Sequence, residues 1–239
     1  MKKFSEGYIY SIETMGLVDG PGIRVVVFMQ GCKLRCIFCH NPETWKEEGK
    51  LKFTSKEIVD EIRKYRPYIE LGGGVTFSGG EPLIQSEFLL EMLKMCKKAG
   101  IHTCLDTSGT GYDIKYLDEI LKNTDLVLLD IKGITDEDYK YITGRKIDEF
   151  NLFCEYLDKH NTKLWIRHVI VPTINDNKEH ILNLKEYIKR FKNIERIELL
   201  PYHTMGISKY KKLRIKYRLD GIKDMDKDEC EKLEEPLKV

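Results

Sequence analysis

The sequence predicts an α/β fold, a partial (β/α) barrel of about six parallel strands. Three observations carry that prediction: short β-rich runs alternate with helical patterns, several runs are nearly continuous in apolar residues, and the chemically unusual residues recur just past the runs. The runs cover residues 23–29, 74–77, 102–106, 126–131, 164–171 and 194–200. A strand covered by helices on both faces loses the apolar–polar alternation of a half-exposed one, so continuous apolar runs point to a parallel sheet.

Between the runs, apolar residues recur at intervals of three and four: Ile58, Val59 and Ile62; Phe88, Leu89, Met92 and Leu93; Ile181, Leu184 and Ile188. That spacing lines one face of a helix. Thr54 with Glu57, and Thr135 with Asp138, have the spacing of a capping box at a helix start. Gly100, directly after Lys97-Lys98-Ala99, marks a helix end.

With 239 residues, 41% of them hydrophobic, and neither a repeat nor a linker, the chain is expected to form one domain over residues 1–239. Forty Lys and Arg balance 39 Asp and Glu, so no nucleic-acid or membrane partner is expected. The basic stretch from Lys209 to Arg218 is the local exception and reads as a solvated face. The N-terminal segment lacks the apolar core of a signal peptide and no stretch has the length of a membrane span, so a cytoplasmic location is expected. Of seven cysteines, three fall within eight residues. In a reducing compartment that clustering points to a metal or redox site rather than to disulfides.

The polar residues fall where such a fold would use them. A cysteine loop follows the first run, Ser78-Gly79-Gly80-Glu81 the second, Asp106-Thr107 the third; Asp130 and Lys132 lie at the end of the fourth, and His203 follows the sixth. In βα-repeat folds the C-terminal strand ends converge on one rim, so these groups should share a cavity.

The cysteine loop reads Gly31-Cys32-Lys33-Leu34-Arg35-Cys36-Ile37-Phe38-Cys39-His40-Asn41-Pro42. Thiolates suit iron–sulfur clusters, and a compact loop can hold three corners of a cubane. One iron is then left open to an outside ligand, whereas structural and electron-transfer sites are normally closed. The competing reading is a zinc site formed with His40, although a ligand directly adjacent to Cys39 closes a tetrahedron poorly. The other four cysteines read as buried small hydrophobes.

Cys-x3-Cys-x2-Cys with an aromatic before the last cysteine, together with Ser78-Gly79-Gly80-Glu81-Pro82, resembles the radical S-adenosylmethionine (SAM) superfamily. Asp19-Gly20-Pro21-Gly22-Ile23-Arg24, Cys39-His40-Asn41-Pro42, His102 to Thr107, Trp165-Ile166-Arg167 and Leu199 to His203 narrow the resemblance to its glycyl-radical enzyme activases, over about residues 9–221. The resemblance implies a [4Fe-4S] cluster on Cys32, Cys36 and Cys39, with SAM chelating the open iron. Gly79 and Gly80 would lie against its amino group, Phe38 and His40 near its adenine, and Asp130, Ile131, Lys132 and His203 around its ribose, carboxylate and adenine. Asp106 and Thr107, with Asp130, would hold a monovalent cation. Asp19 and Arg167 would orient the glycyl loop of a protein substrate, pyruvate formate-lyase, and reduced flavodoxin or ferredoxin would donate the electron. No residue is expected to act as a general acid or base.

No cysteine lies between His40 and Ser78, which leaves no room for the ferredoxin-like insert of many other activases. Another glycyl-radical enzyme or a small molecule as target stays open, as does a non-enzymatic electron carrier, which would need a fourth cluster ligand. One departure lies past Gly221, where the family closes with a longer amphipathic helix and Pro236 would interrupt it here.

Overall fold

The computed structural model describes residues 3–237. Its strands are β1 (Glu6–Gly16), β2 (Arg24–Met29), β3 (Leu51–Thr54), β4 (Gly74–Gly79), β5 (Thr103–Thr107), β6 (Leu126–Asp130), β7 (Lys163–Ile170) and β8 (Ile194–Pro201). They form one open sheet in the order β3-β1-β2-β4-β5-β6-β7-β8. From β2 through β8 every pairing in that order is parallel, and these six strands are the six apolar runs.

Two further strands were not expected. β1 pairs antiparallel with both β2 and β3. Most of β1 is half-buried or exposed, and β3 has only four residues, two of them exposed. Strands at the open end of a sheet keep polar side chains, so an apolar-run criterion passes over them.

Helices α1 (Ser55–Lys64), α2 (Arg66–Ile69), α3 (Ser86–Lys98), α4 (Ile114–Lys122), α5 (Asp136–Thr143), α6 (Asp148–His160), α7 (Lys178–Ile188), α8 (Ile207–Leu213) and α9 (Lys227–Glu234) complete the chain. The expected helical stripes are buried on α1, α3 and α7. At α1 the capping box is complete: Thr54 Oγ1 accepts from Glu57 N, and Thr54 N donates to Glu57 Oε2 at 2.7 Å. At α5 only half of it forms. Thr135 Oγ1 accepts from Asp138 N at 3.1 Å, with no return bond; an aspartate is one methylene shorter than the glutamate that closes such a box. Gly100 follows α3 with a φ of +70° and donates to Lys97 O.

At the C-terminus Pro236 follows α9 instead of interrupting it. α9 covers the free edge of β8, where Leu199 N donates to Glu234 Oε2 at 2.7 Å, and buries Cys230, while Leu237 beyond it is also buried. A covered edge offers no unpaired ladder to another chain. No helix among the described residues is long and apolar enough to cross a membrane.

A buried polar knot fixes the backbone at the end of β6. His168 on β7 is fully buried and its Nδ1 donates to Ile131 O at 2.7 Å. Its Nε2 is therefore the acceptor, facing His180 Nε2 at 2.9 Å and Asn175 Nδ2 at 3.1 Å. Burial pushes the His168 imidazole down to about 4, with the His180 ring adding to the effect. A histidine held neutral stabilises the fold fully above its unfolded value, and that stability is lost as pH falls toward the folded one. Between pH 7 and pH 5 the loss is about 2 kcal/mol. In His168→Gln, urea-unfolding midpoints at the two pH values should converge by that amount; an unchanged gap would remove His168 as the source.

Candidate active site

The C-terminal strand ends open onto a cavity of about 500 Å³. The loop after β2 supplies Cys32, Cys36, Phe38, Cys39 and His40, and β4 with the turn after it supplies Gly79 and Gly80. Asp106 and Thr107 end β5, Asp130 ends β6 with Lys132 just beyond, Arg167 comes from β7, His203 follows β8, and Asp19 reaches in from the β1–β2 loop. Ile131 is the exception among the expected residues. Its side chain is buried in the core rather than lining the cavity, because its backbone is held on both sides, by Arg167 O and by His168.

The cysteine loop is built in alternation: Cys32, Leu34, Cys36 and Phe38 line the cavity, while Lys33 and Arg35 are exposed. Gly31 N bonded to Thr44 O anchors its start, and Arg35 N and Ile37 N bonded to Thr143 O and Ile142 O anchor its middle. Burial pushes the Cys36 thiol up to about 12, against the pull of the Lys132 ammonium, and raises Cys32 and Cys39 as well. Metal ligation requires the thiolates, so loading a metal centre here releases protons.

This donor set fits a [4Fe-4S] cluster. No other cysteine lines the cavity, and among the described residues no three His, Cys, Asp or Glu converge closely enough to hold a single ion. Three thiols facing one cavity would suit a polynuclear cluster. His40 is occupied elsewhere: its Nε2 donates to His203 O at 3.0 Å and its ring stacks on His203 at 3.7 Å. Burial, reinforced by His203, pushes its imidazole down to about 4, so the ring is neutral. Without three convergent donors for one ion, the zinc reading finds no site among the described residues.

Gly79 has a φ of +120°, and a Cβ there would lie 2.3 Å from both Met29 N and Met29 O; at Gly80 it would lie 2.2 Å from Gly31 O. Only bare backbone fits between the cysteine loop and β4. The seam is bonded through Gly80 N to Met29 O (2.9 Å) and Glu81 N to Gly31 O (2.7 Å).

Glu81, expected at the cavity as part of the glycine segment but given no role of its own, positions its neighbours. Fully buried, it accepts from Thr107 Oγ1 at 2.6 Å, Ser108 N at 2.8 Å, Ser108 Oγ at 2.5 Å and Leu83 N at 3.2 Å. Burial pushes its carboxyl up to about 7 against those donors. It clamps the end of β5 to the glycine turn, and the Thr107 hydroxyl is committed to it. Ser78 lines the cavity as its segment predicted, and its Oγ donates to Asp106 Oδ2 at 2.6 Å. The available signal for the Glu81 clamp was a lone carboxylate placed directly before Pro82-Leu83-Ile84.

At the cavity centre, Arg167 pairs with Asp106 and lies 3.3 Å from Asp130, which Lys132 holds at 2.8 Å. All four side chains are at most 18% exposed. Burial raises the Asp106 carboxyl despite Arg167; at Asp130 burial is outweighed by Lys132 and Arg167, which hold that carboxyl below its ordinary value. His203 Nδ1, a buried polar atom on the cavity wall, has no hydrogen-bond partner among the described residues. Buried polar groups are nearly always satisfied, so such an atom in a cavity calls for a polar ligand.

Arg24 sets the loop that carries Asp19. Fully buried and, among the described residues, without a paired carboxylate, it donates through Nε to Thr76 Oγ1 at 2.6 Å and through Nη1 to Pro21 O at 3.0 Å. The Thr76 hydroxyl passes its own hydrogen to Asp19 O at 2.6 Å. Burial raises the Asp19 carboxyl, with Arg167 and Arg24 opposing.

A parallel sheet whose strand ends gather three thiols, a glycine floor and a balanced buried charge cluster defines the radical SAM class of enzyme. The profile of the Radical SAM superfamily matches residues 26–184. The pyruvate formate-lyase-activating enzyme of Clostridium pasteurianum is 54% identical over 233 residues, 97% of each chain. That of Staphylococcus epidermidis is 46% identical, covering 92% of this chain and 91% of its own. Among solved structures, a domain of the pyruvate-formate lyase-activating enzyme from Bacteroides vulgatus superposes with a TM-score of 0.55 at 25% identity, over 70% of this chain and 93% of that one. Streptococcus suis SuiB bound to S-adenosylmethionine has a TM-score of 0.61 at 18% identity, over 86% and 44%, and shares the fold. The chain belongs to the radical SAM superfamily and, within it, to the pyruvate formate-lyase-activating enzymes.

Proposed function

We propose that this chain reductively cleaves SAM and uses the product to remove a hydrogen atom from one glycine of pyruvate formate-lyase, leaving a glycyl radical on that protein. The observation that carries the reading is a cavity holding three thiols and no fourth. When bound, a reduced [4Fe-4S] cluster supplies the electron that breaks the sulfonium bond to C5′ of SAM, giving methionine and a 5′-deoxyadenosyl radical that becomes 5′-deoxyadenosine on taking the glycine hydrogen.

The chain's own residues bind, orient and exclude. Cys32, Cys36 and Cys39 would hold the cluster, and Gly79 and Gly80 let the methionyl amine approach backbone. Asp130 and Lys132 supply opposite charges for the ribose and the carboxylate. His203, with its free Nδ1, and the stacked His40 and Phe38 side form the adenine wall. A monovalent cation beside the SAM carboxylate would share Asp106, Thr107 and Asp130 with Arg167. Asp19 and Arg167, which line the same cavity, orient the glycyl loop. None of these groups moves a proton, and the buried walls keep water and competing hydrogen donors away from the radical. The electron comes from reduced flavodoxin or ferredoxin, in the cytoplasm, where thiols stay reduced.

The test is anaerobic incubation of the reconstituted enzyme with reductant, SAM and pyruvate formate-lyase. Stoichiometric 5′-deoxyadenosine and a glycyl-radical signal on the partner are expected. A fully loaded enzyme that forms neither would refute the assignment.

A further inference from the structure

The charge on this chain is not evenly spread. Segments 32–36, 140–146 and 207–218 carry eleven Lys or Arg and no Asp or Glu; against chain totals of 40 and 39, the remainder holds 29 cations and 39 acids. Far apart in sequence, the three segments meet around the outside of the cysteine loop. Arg35 N donates to Thr143 O at 2.8 Å and Arg145 Nε to Lys33 O at 3.2 Å. Tyr210 Oη donates to Cys39 O at 3.0 Å, and Arg218 Nη2 to Tyr141 O at 2.8 Å.

The cations on this ring largely lack acidic partners. Among the described residues only Lys209 has a carboxylate partner, Glu43 at 3.3 Å; the other ten make no ion pair. Elsewhere surface lysines and arginines such as Lys52, Lys56, Arg66, Lys94 and Lys163 are paired. Concentrated, unpaired, exposed like charge destabilises a fold by self-repulsion, and here it sits on the outer face of the loop whose inner face carries the cluster ligands.

We infer that this cationic ring, formed by the cysteine loop, the α5–α6 turn and the α8 segment, is the docking surface for an acidic one-electron carrier protein that reduces the cluster. The inference rests on the function proposed above, which requires an electron from outside. Charge complementarity selects the occupant: an anionic carrier is drawn to the outer face of the cysteine loop, while the cavity lined by Asp19 and Arg167 is left for the protein substrate. Steering of this kind raises association rates and is screened by salt.

The test uses the cluster-loaded enzyme carrying Lys211→Glu, Lys212→Glu and Lys216→Glu together, three exposed side chains outside the site. SAM cleavage is driven in parallel by reduced flavodoxin and by dithionite. With flavodoxin at low ionic strength the variant should be slower by about tenfold or more, and the gap should close as salt is raised. With dithionite the two proteins should be equal. Unchanged flavodoxin kinetics, an equal loss with both reductants, or a raised KM for pyruvate formate-lyase alone would each overturn the assignment. Failure of the parent enzyme to cleave SAM with dithionite would instead strike the proposed function.

Discussion

In Cys36→Ala, SAM cleavage should fall to background and the bound iron should be lost. Cys36 is the middle thiol of the loop, buried and facing the cavity, so its removal would leave two thiols for a cluster that needs three corners. Nothing nearby replaces it. Cys96, Cys104, Cys154 and Cys230 are buried away from the cavity, and His40 Nε2 is bonded to His203. The fold should survive, because the loop is anchored by backbone bonds from Gly31, Arg35 and Ile37 that the substitution does not touch. Deleting one buried sulfur costs about 1 kcal/mol. Iron content after anaerobic reconstitution, 5′-deoxyadenosine yield and circular dichroism together check the expectation. A folded variant that still cleaves SAM would contradict the ligand assignment.

Arg167→Gln should both destabilise the protein and stop transfer of the radical to the partner. Arg167 is the counter-ion of Asp106 and the second partner of Asp130. Lys132 still neutralises Asp130 in the variant, so the uncompensated charge falls on Asp106, left with the Ser78 hydroxyl. Removing one partner of a buried pair costs about 3–5 kcal/mol. For a chain of this size that lowers the melting temperature by about 10 °C. The double variant Arg167→Gln with Asp106→Asn removes the stranded charge and should recover most of that loss. If Arg167 also orients the glycine, the double variant should cleave SAM more slowly, Asp106 being a proposed cation ligand, and form little glycyl radical per 5′-deoxyadenosine released. Full recovery of the radical would reduce Arg167 to a structural ion pair.

The parallel strands were legible because burial on both faces writes itself as continuous apolar runs such as Val25-Val26-Val27 and Leu126 to Leu129, all buried. β1 and β3 were not, since strands with solvent on one side carry residues any loop could carry. Lys209 to Arg218 reads as a solvated face in one dimension, yet Tyr210 inside it bonds to Cys39 O and brings the cations beside the cluster ligands.

What the sequence alone determined is the local chemistry: three thiols within eight residues and the continuous apolar runs that form the parallel strands. Each depends on neighbours along the chain. The pairing of Arg167 with Asp106, the Glu81 clamp on Ser108 and the ring of unpaired cations join residues far apart in sequence. The energies of buried and clustered charges depend on separation and lost solvation, and only the folded structure sets those distances.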